Sequence, residues 1–265
     1  MDYKCALFDG TFEGFLNIVY DYYYEKNFPD FIDVDGCYQT RLMTEYYYVY
    51  SDAEKSERVM NGLHKKASTR IFNIVYNAFY AEEFEDRFLD IFNFIILSFK
   101  IGAKAEEHLT TDFVRNTLKY YKRVSSELLR QIEFCRFAET QQGVFYCPIS
   151  PRNDILKFVC GFFVDRFYSM NFVIHDTKRN IAGIYDQSEC VIVDTPQNAE
   201  IVYSENERRY QEYWFEFYNS ATNDLRINSD HQRAMLPKYF RKNMTEFNFP
   251  LDKYNMENKN LPKKI

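Results

Sequence analysis

Residues 134–186, FCRFAETQQGVFYCPISPRNDILKFVCGFFVDRFYSMNFVIHDTKRNIAGIYD, set short strand-like segments around one strongly apolar helix. Gln141, Gln142 and Gly143 separate residues 134–139 from 144–149, and glycine supplies the positive φ of a tight hairpin turn, so two antiparallel strands are predicted. Pro151, Asn153 and Asp154 stop the second strand and offer capping oxygens. Ile155, Phe158, Val159, Phe162, Phe163 and Phe167 then recur at the spacing of a buried helix face. Residues 172–175 and 181–185 are β-branched and aromatic about the polar turn 176–180, and 190–193 can add a further strand. Such a ββαββ unit buries one sheet face under its helix and leaves the other for a neighbour or a ligand.

Outward from this unit the chain reads as helical. A short strand at 3–8 leads through Asp9 into a helix over 11–24, with Phe12, Phe15, Leu16, Val19 and Tyr23 on one face. Residues 27–36 read as a loop. Ser51 and Glu54 stand in the capping-box relation before a helix over 53–66, and Ser68 opens the next. A helix over 88–99 ends towards Gly102, and a longer one spans 112–132. Ser204 and Glu207 form a second capping box before a helix to about Asn219. The expected fold is α+β: a mainly helical region over 1–112, an α+β region over 113–247 with a central antiparallel ββαββ unit and C-terminal helices, and a polar tail over 248–265.

The totals narrow the function. With 265 residues, 46% hydrophobic and 27% charged, the chain is a globular protein able to bury a core. Its net charge of −6 argues against a generic DNA coat while leaving room for a local basic face. The six cysteines are scattered without C-x-x-C pairs or metal spacing, so reduced thiols and no metal site are expected. No apolar run reaches the length of a membrane span or signal core, which points to a cytoplasmic protein. The 26 Phe and 23 Tyr accompany abundant Asn, Ile and Lys, the residues of AT-rich codons, so aromatic content alone is no sign of base stacking.

Two basic clusters stand out. Arg115, Lys119, Lys122, Arg123 and Arg130 fall along one side of the 112–132 helix, opposite Val114, Leu118, Tyr121, Val124 and Leu128. The stripe reads as a solvated face or as a track for phosphates. His231, Arg233, Lys238, Arg241 and Lys242 interleave with Met235, Leu236, Tyr239 and Phe240, a composition suited to backbone contacts and stacking. Arg136 lies on an apolar strand, where a guanidinium must either pair with a carboxylate or face an anion. His175 with Asp176, at a strand end, is the acid/base candidate. Asp154 and Arg166 read as a cap and an ion-pair partner. No phosphate-binding glycine loop, nucleophile elbow or C-x-x-x-C-x-x-C cluster motif is present.

Phe8-Asp9-Gly10-Thr11-Phe12-Glu13-Gly14-Phe15-Leu16, the segment from Ser51 to Val59, Arg136-Phe137, Phe145-Tyr146, Pro148-Ile149 and the ending Pro237-Lys238-Tyr239 with Arg241 to Phe247 together resemble a bacterial family. Its members carry a domain of unknown function and are described as probable DNA metabolism proteins. The resemblance runs from about Tyr3 to Phe247. It implies a role in DNA repair or modification beside a putative radical-SAM protein, and some members are fused to a uracil-DNA-glycosylase-like domain. It also implies recurrent polar positions at Arg136, Asp154, Arg166, His175, Asp176, Arg226, Asn228, Lys238 and Glu246. No cofactor is expected in this chain, and the iron–sulfur cluster and S-adenosylmethionine are expected in the partner.

The resulting expectation is an accessory protein that binds DNA, single- or double-stranded, through the two basic clusters together with Arg136, Arg166 and Arg226. The alternatives are an enzyme acting on a nucleobase or nucleotide, with Arg136 and Arg166 binding an anion and His175 or Asp176 moving a proton, and a pure scaffold for the partner.

Overall fold

A computed structural model describes residues 3–84, 86–196, 201–221 and 228–248. The chain forms two compact units, Met1–Glu127 with Arg152–Asp154, and Leu128–Pro151 with Ile155–Ile265. The change of unit falls inside a helix, at Glu127.

In the first unit β1 (Tyr3–Phe8) is the middle of a three-stranded parallel sheet, between β2 (Phe31–Val34) and β3 (Thr44–Tyr48). Cys5 to Phe8 are buried in succession, as in a strand covered on both faces. The loop reading of residues 27–36 therefore needs a correction: β2 lies within that stretch. Its backbone hydrogen bonds come from β1, distant in sequence, so local turn chemistry does not reveal it.

Helix α1 (Phe12–Tyr24) is capped by Thr11, whose hydroxyl accepts from Gly14 N at 3.0 Å. Asp9 holds this turn, accepting from the Thr11 hydroxyl at 2.6 Å and the Ser51 hydroxyl at 2.6 Å. Ser51 is thus drawn away from capping α2 (Ala53–Gly62), and Asp52 replaces it, accepting from Glu54 N and Lys55 N. A π-helical turn, Leu63–Ala67, joins α2 to α3 (Thr69–Phe79), which Ser68 caps as expected. Phe8, Phe15, Phe79 and Phe88 meet edge-on or tilted between the sheet and α4 (Arg87–Ile101), forming the aromatic centre of the core. Asp90 of α4 accepts from Tyr120 and Asn116 of α5 (Asp112–Phe134), at 2.7 and 3.1 Å.

The second unit holds a five-stranded sheet in the order β4-β5-β6-β7-β8: Ala138–Glu139, Phe145–Ile149, Phe172–Asp176, Ile181–Tyr185 and Cys190–Asp194. Gly143, at φ 74, makes the β4–β5 hairpin turn. The pairs β4–β5, β6–β7 and β7–β8 are antiparallel as predicted, whereas β5 and β6 run parallel. The reason is α6 (Leu156–Arg166), a crossover helix that returns the chain in the same direction. Val159, Cys160 and Phe163 of α6 are buried with Cys147, Ile149, Phe172 and Ile174 of the strands. Gly183 is required beneath this helix, because a Cβ there would lie 2.2 Å from Cys160 Sγ.

Helix α7 (Glu205–Ala221) begins at Ser204, whose hydroxyl accepts from Glu207 N. The Glu207 carboxylate does not close a capping box but accepts from Glu139 N at 3.0 Å, tying the helix to β4. Short helices α8 (Ser229–Met235), α9 (Lys238–Arg241) and α10 (Thr245–Asn248) follow. Among the described residues no helix is long and apolar enough to cross a membrane.

Candidate functional site

Arg136, just before β4, organises the polar cleft of the second unit. Its guanidinium donates to Glu246 of α10 at 2.8 and 3.3 Å, and to the Glu133 and Cys135 carbonyls. The Glu246 side chain is 4% exposed and Arg136 26%, so the pair is enclosed on the acid side and open on the guanidinium side. The indole N–H of Trp214, on α7, also reaches Glu246 at 3.4 Å. Of the two possibilities that burial leaves an arginine, Arg136 has taken the carboxylate.

Beside this pair lies a pocket of about 260 Å³, with Pro148 and Tyr203 on its sheet side and Lys242, Asn243 and Asn248 from the C-terminal helices. A second hollow of about 490 Å³, also bordered by Arg136, is lined by Phe137, Tyr210, Gln211 and Trp214. Lys242 is exposed at the rim. Asn243 donates to the Ser150 hydroxyl at 3.2 Å, which fixes α9–α10 against the end of β5. The lining contributions of Trp214, Tyr203 and Gln211 were not legible in the sequence, although Trp214 is the chain's one tryptophan.

His175 and Asp176 are adjacent on β6 and point to opposite faces of the sheet. Asp176 is fully buried and accepts from Lys178 N, Arg179 N and, at 2.6 Å, the Arg179 guanidinium, so it closes the β6–β7 turn. His175 is bonded at both ring nitrogens, Nδ1 to the Tyr146 hydroxyl at 2.7 Å and Nε2 to the Thr195 hydroxyl at 3.0 Å. Burial lowers its pKa despite the opposing effect of Asp176. Burial also pushes the Tyr146 phenol up to about 12, with the Tyr203 phenol adding to it. A neutral imidazole that accepts from Tyr146 and donates to Thr195 satisfies every group. The two residues form no acid/base pair with each other.

The stripe on α5 is present as a face of that helix. Arg115 pairs with Asp112, and Lys119 lies 5.0 Å over the Phe84 ring. Lys119, Lys122 and Arg123 are exposed and Arg130 half-buried, and among the described residues these four have no carboxylate partner. In the second cluster His231, Lys238 and Lys242 are exposed, while Arg241 donates to the Leu236 carbonyl and lies 5.0 Å over Phe247. Arg166 is exposed at the end of α6. Arg233 is a backbone position of α8, and Arg226 lies outside the described residues. The cysteines are unbridged, and among the described residues no cluster of His, Cys, Asp and Glu could hold a metal ion. Burial raises the Cys5, Cys147 and Cys160 thiols, Cys5 to about 12, so they remain protonated fillers of the core.

A protein-family model described as a domain of unknown function, DUF4130, matches residues 85–246. Comparison with curated proteins and with solved structures finds no match.

Proposed function

The chain belongs to the DUF4130 family, a domain of unknown function, and we propose that it is an accessory nucleic-acid-binding protein of DNA repair or modification. In this reading it works beside a radical-SAM partner, which carries the iron–sulfur cluster and S-adenosylmethionine. The observation that carries the proposal is the contrast between paired and unpaired cations. Arg41, Lys55, Arg70, Arg136 and Arg179 each meet a carboxylate within 4 Å. Among the described residues Lys119, Lys122, Arg123 and Arg130 meet none, and they lie along one side of a single helix over about 16 Å. On a chain of net charge −6, cations left unneutralised in a row are suited to a polyanion whose charges repeat along its length.

Fluorescence anisotropy of labelled single- and double-stranded oligonucleotides tests this. Contacts from these four residues give a salt slope of about −3.6 on duplex and about −2.8 on single strands, so affinity falls roughly 50- to 150-fold over a fourfold rise in salt. Removing the charges of Lys119, Lys122 and Arg130 together should reduce the duplex slope to about −0.9. An unchanged slope, or no binding at low salt, overturns the reading for the isolated chain. Co-purification with a candidate radical-SAM protein tests the partner.

A second reading, an enzyme acting on a nucleobase or nucleotide, has the pocket beside Arg136 in its favour. Pro148, Tyr203 and Asn243 there could hold a flat polar ring, with Lys242 at the rim for an anion.

A further inference from the structure

The first unit contains a pocket that neither the basic stripe nor the Arg136 cleft involves. It measures about 410 Å³, within the range of small-molecule sites, and is built from α1, α2, the π-helical turn and α4. Gly62 lets α2 pack closely on the Phe99 ring at its wall, since a Cβ at that position would come within 3.2 Å of the ring. The π-helical turn that follows carries Lys66 to its rim.

Two kinds of group line the pocket. Tyr24, 66% exposed, stacks on Tyr20 at 4.3 Å and 24°, leaving its outer face free, while Tyr23 stands edge-on to Phe99 at 5.6 Å. Arg58, Lys66 and Lys100 supply positive charge, and among the described residues no carboxylate lines the pocket to neutralise them. Arg58 is held in place by the Tyr20 hydroxyl at 3.4 Å. The Tyr23 hydroxyl adds an independent observation. It is buried without a hydrogen-bond partner among the described residues, a costly state for a phenol that a bound polar group would relieve.

We propose that this pocket binds a nucleoside phosphate, with the base on the tyrosines, the phosphate on Arg58, Lys66 and Lys100, and a base or sugar acceptor on the Tyr23 hydroxyl. Aromatic faces alone would suit any apolar ligand, and cations alone any anion. Their combination with a single buried hydroxyl requires a ligand that is flat and aromatic at one end and anionic at the other. The source is either a free nucleotide or a nucleotide within a strand.

Isothermal titration of the full chain with AMP, ATP, adenosine, inorganic phosphate and a short oligodeoxyadenylate tests the site. AMP and ATP should bind saturably, and adenosine and inorganic phosphate at least about tenfold more weakly. Neutralising Arg58, Lys66 and Lys100 with glutamine should weaken ATP at least about 30-fold, and Tyr23→Phe about 3- to 10-fold with the unfolding midpoint of the unliganded chain raised, since the buried unpaired hydroxyl is gone. An oligodeoxyadenylate that competes with ATP and depends on the same cations identifies the strand as the source. One that does not compete identifies the free nucleotide. Inorganic phosphate binding as tightly as ATP, no saturable binding of either nucleotide, or glutamine variants that bind normally would each overturn the proposal. The α5 charge variant leaves this pocket intact, so its outcome is independent.

Discussion

Replacing Glu246 by Gln separates what the Arg136–Glu246 pair does for the fold from what it withholds from ligands. The carboxylate accepts two guanidinium hydrogen bonds, at 2.8 and 3.3 Å, and the Trp214 indole N–H at 3.4 Å. Glutamine keeps one acceptor oxygen and loses the charge, leaving a guanidinium whose partner is gone. Breaking a fully buried pair costs about 3–5 kcal/mol, and one with some water access proportionally less. Arg136 is 26% exposed, so the expected loss is about 2–3 kcal/mol.

Trp214 is the only tryptophan, so its emission in urea reports on this unit and on the bond itself. With an m-value of about 1–3 kcal/mol/M the midpoint should fall by about 1 M. The same change frees Arg136 at the rim of both hollows. If this cleft contacts phosphate, the oligonucleotide salt slope should steepen by about 0.7–0.9 while stability falls. A midpoint within about 0.2 M of the wild type would show that the pair contributes little to the fold and would refute the reasoning.

Other changes test the remaining elements. Glu127, 6% exposed, accepts from Arg152 N, Asn153 N and Asn153 Nδ2 at 2.8, 3.0 and 2.7 Å. Glu127→Ala should therefore destabilise the first unit by about 3–5 kcal/mol in urea denaturation followed by circular dichroism, and Glu127→Gln by about 1–2. A Cβ at Gly14 would lie 2.3 Å from Asp9 Oδ1 and 2.8 Å from Ser51 Oγ, so Gly14→Ala should cost about 2–3 kcal/mol by the same assay. An unchanged midpoint would show that the Asp9 turn yields freely. Burial lowers the His175 pKa, so the unfolded chain binds this proton first. Its contribution is complete above about pH 6.5 and is lost as pH falls through the lower folded value, by at most about 1.4 kcal/mol per pH unit. The Trp214 midpoint should decline between pH 7 and 5, and His175→Gln should flatten the decline. A variant with an undiminished slope would assign it elsewhere.

The order of elements in the second unit was legible because each carries its own local signal. Gly143 marks a hairpin, the Ile155–Phe167 periodicity a helix, and alternating β-branched residues the strands. Capping oxygens at Ser68 and Ser204 likewise act within a few residues. The parallel β5–β6 pairing, and β2 and β3 beside β1, depend on hydrogen bonds between distant segments, and the local pattern there is silent. The site divides in the same way. The basic stripe on α5 follows from helical spacing alone, and so does the need of Arg136 for a partner. That the partner is Glu246, 110 residues away, that Ser51 serves Asp9 and not its own helix, and that His175 and Asp176 face apart are decided by tertiary packing. Side-chain charge and periodicity act along the chain, whereas burial selects among partners only once the chain has closed on itself.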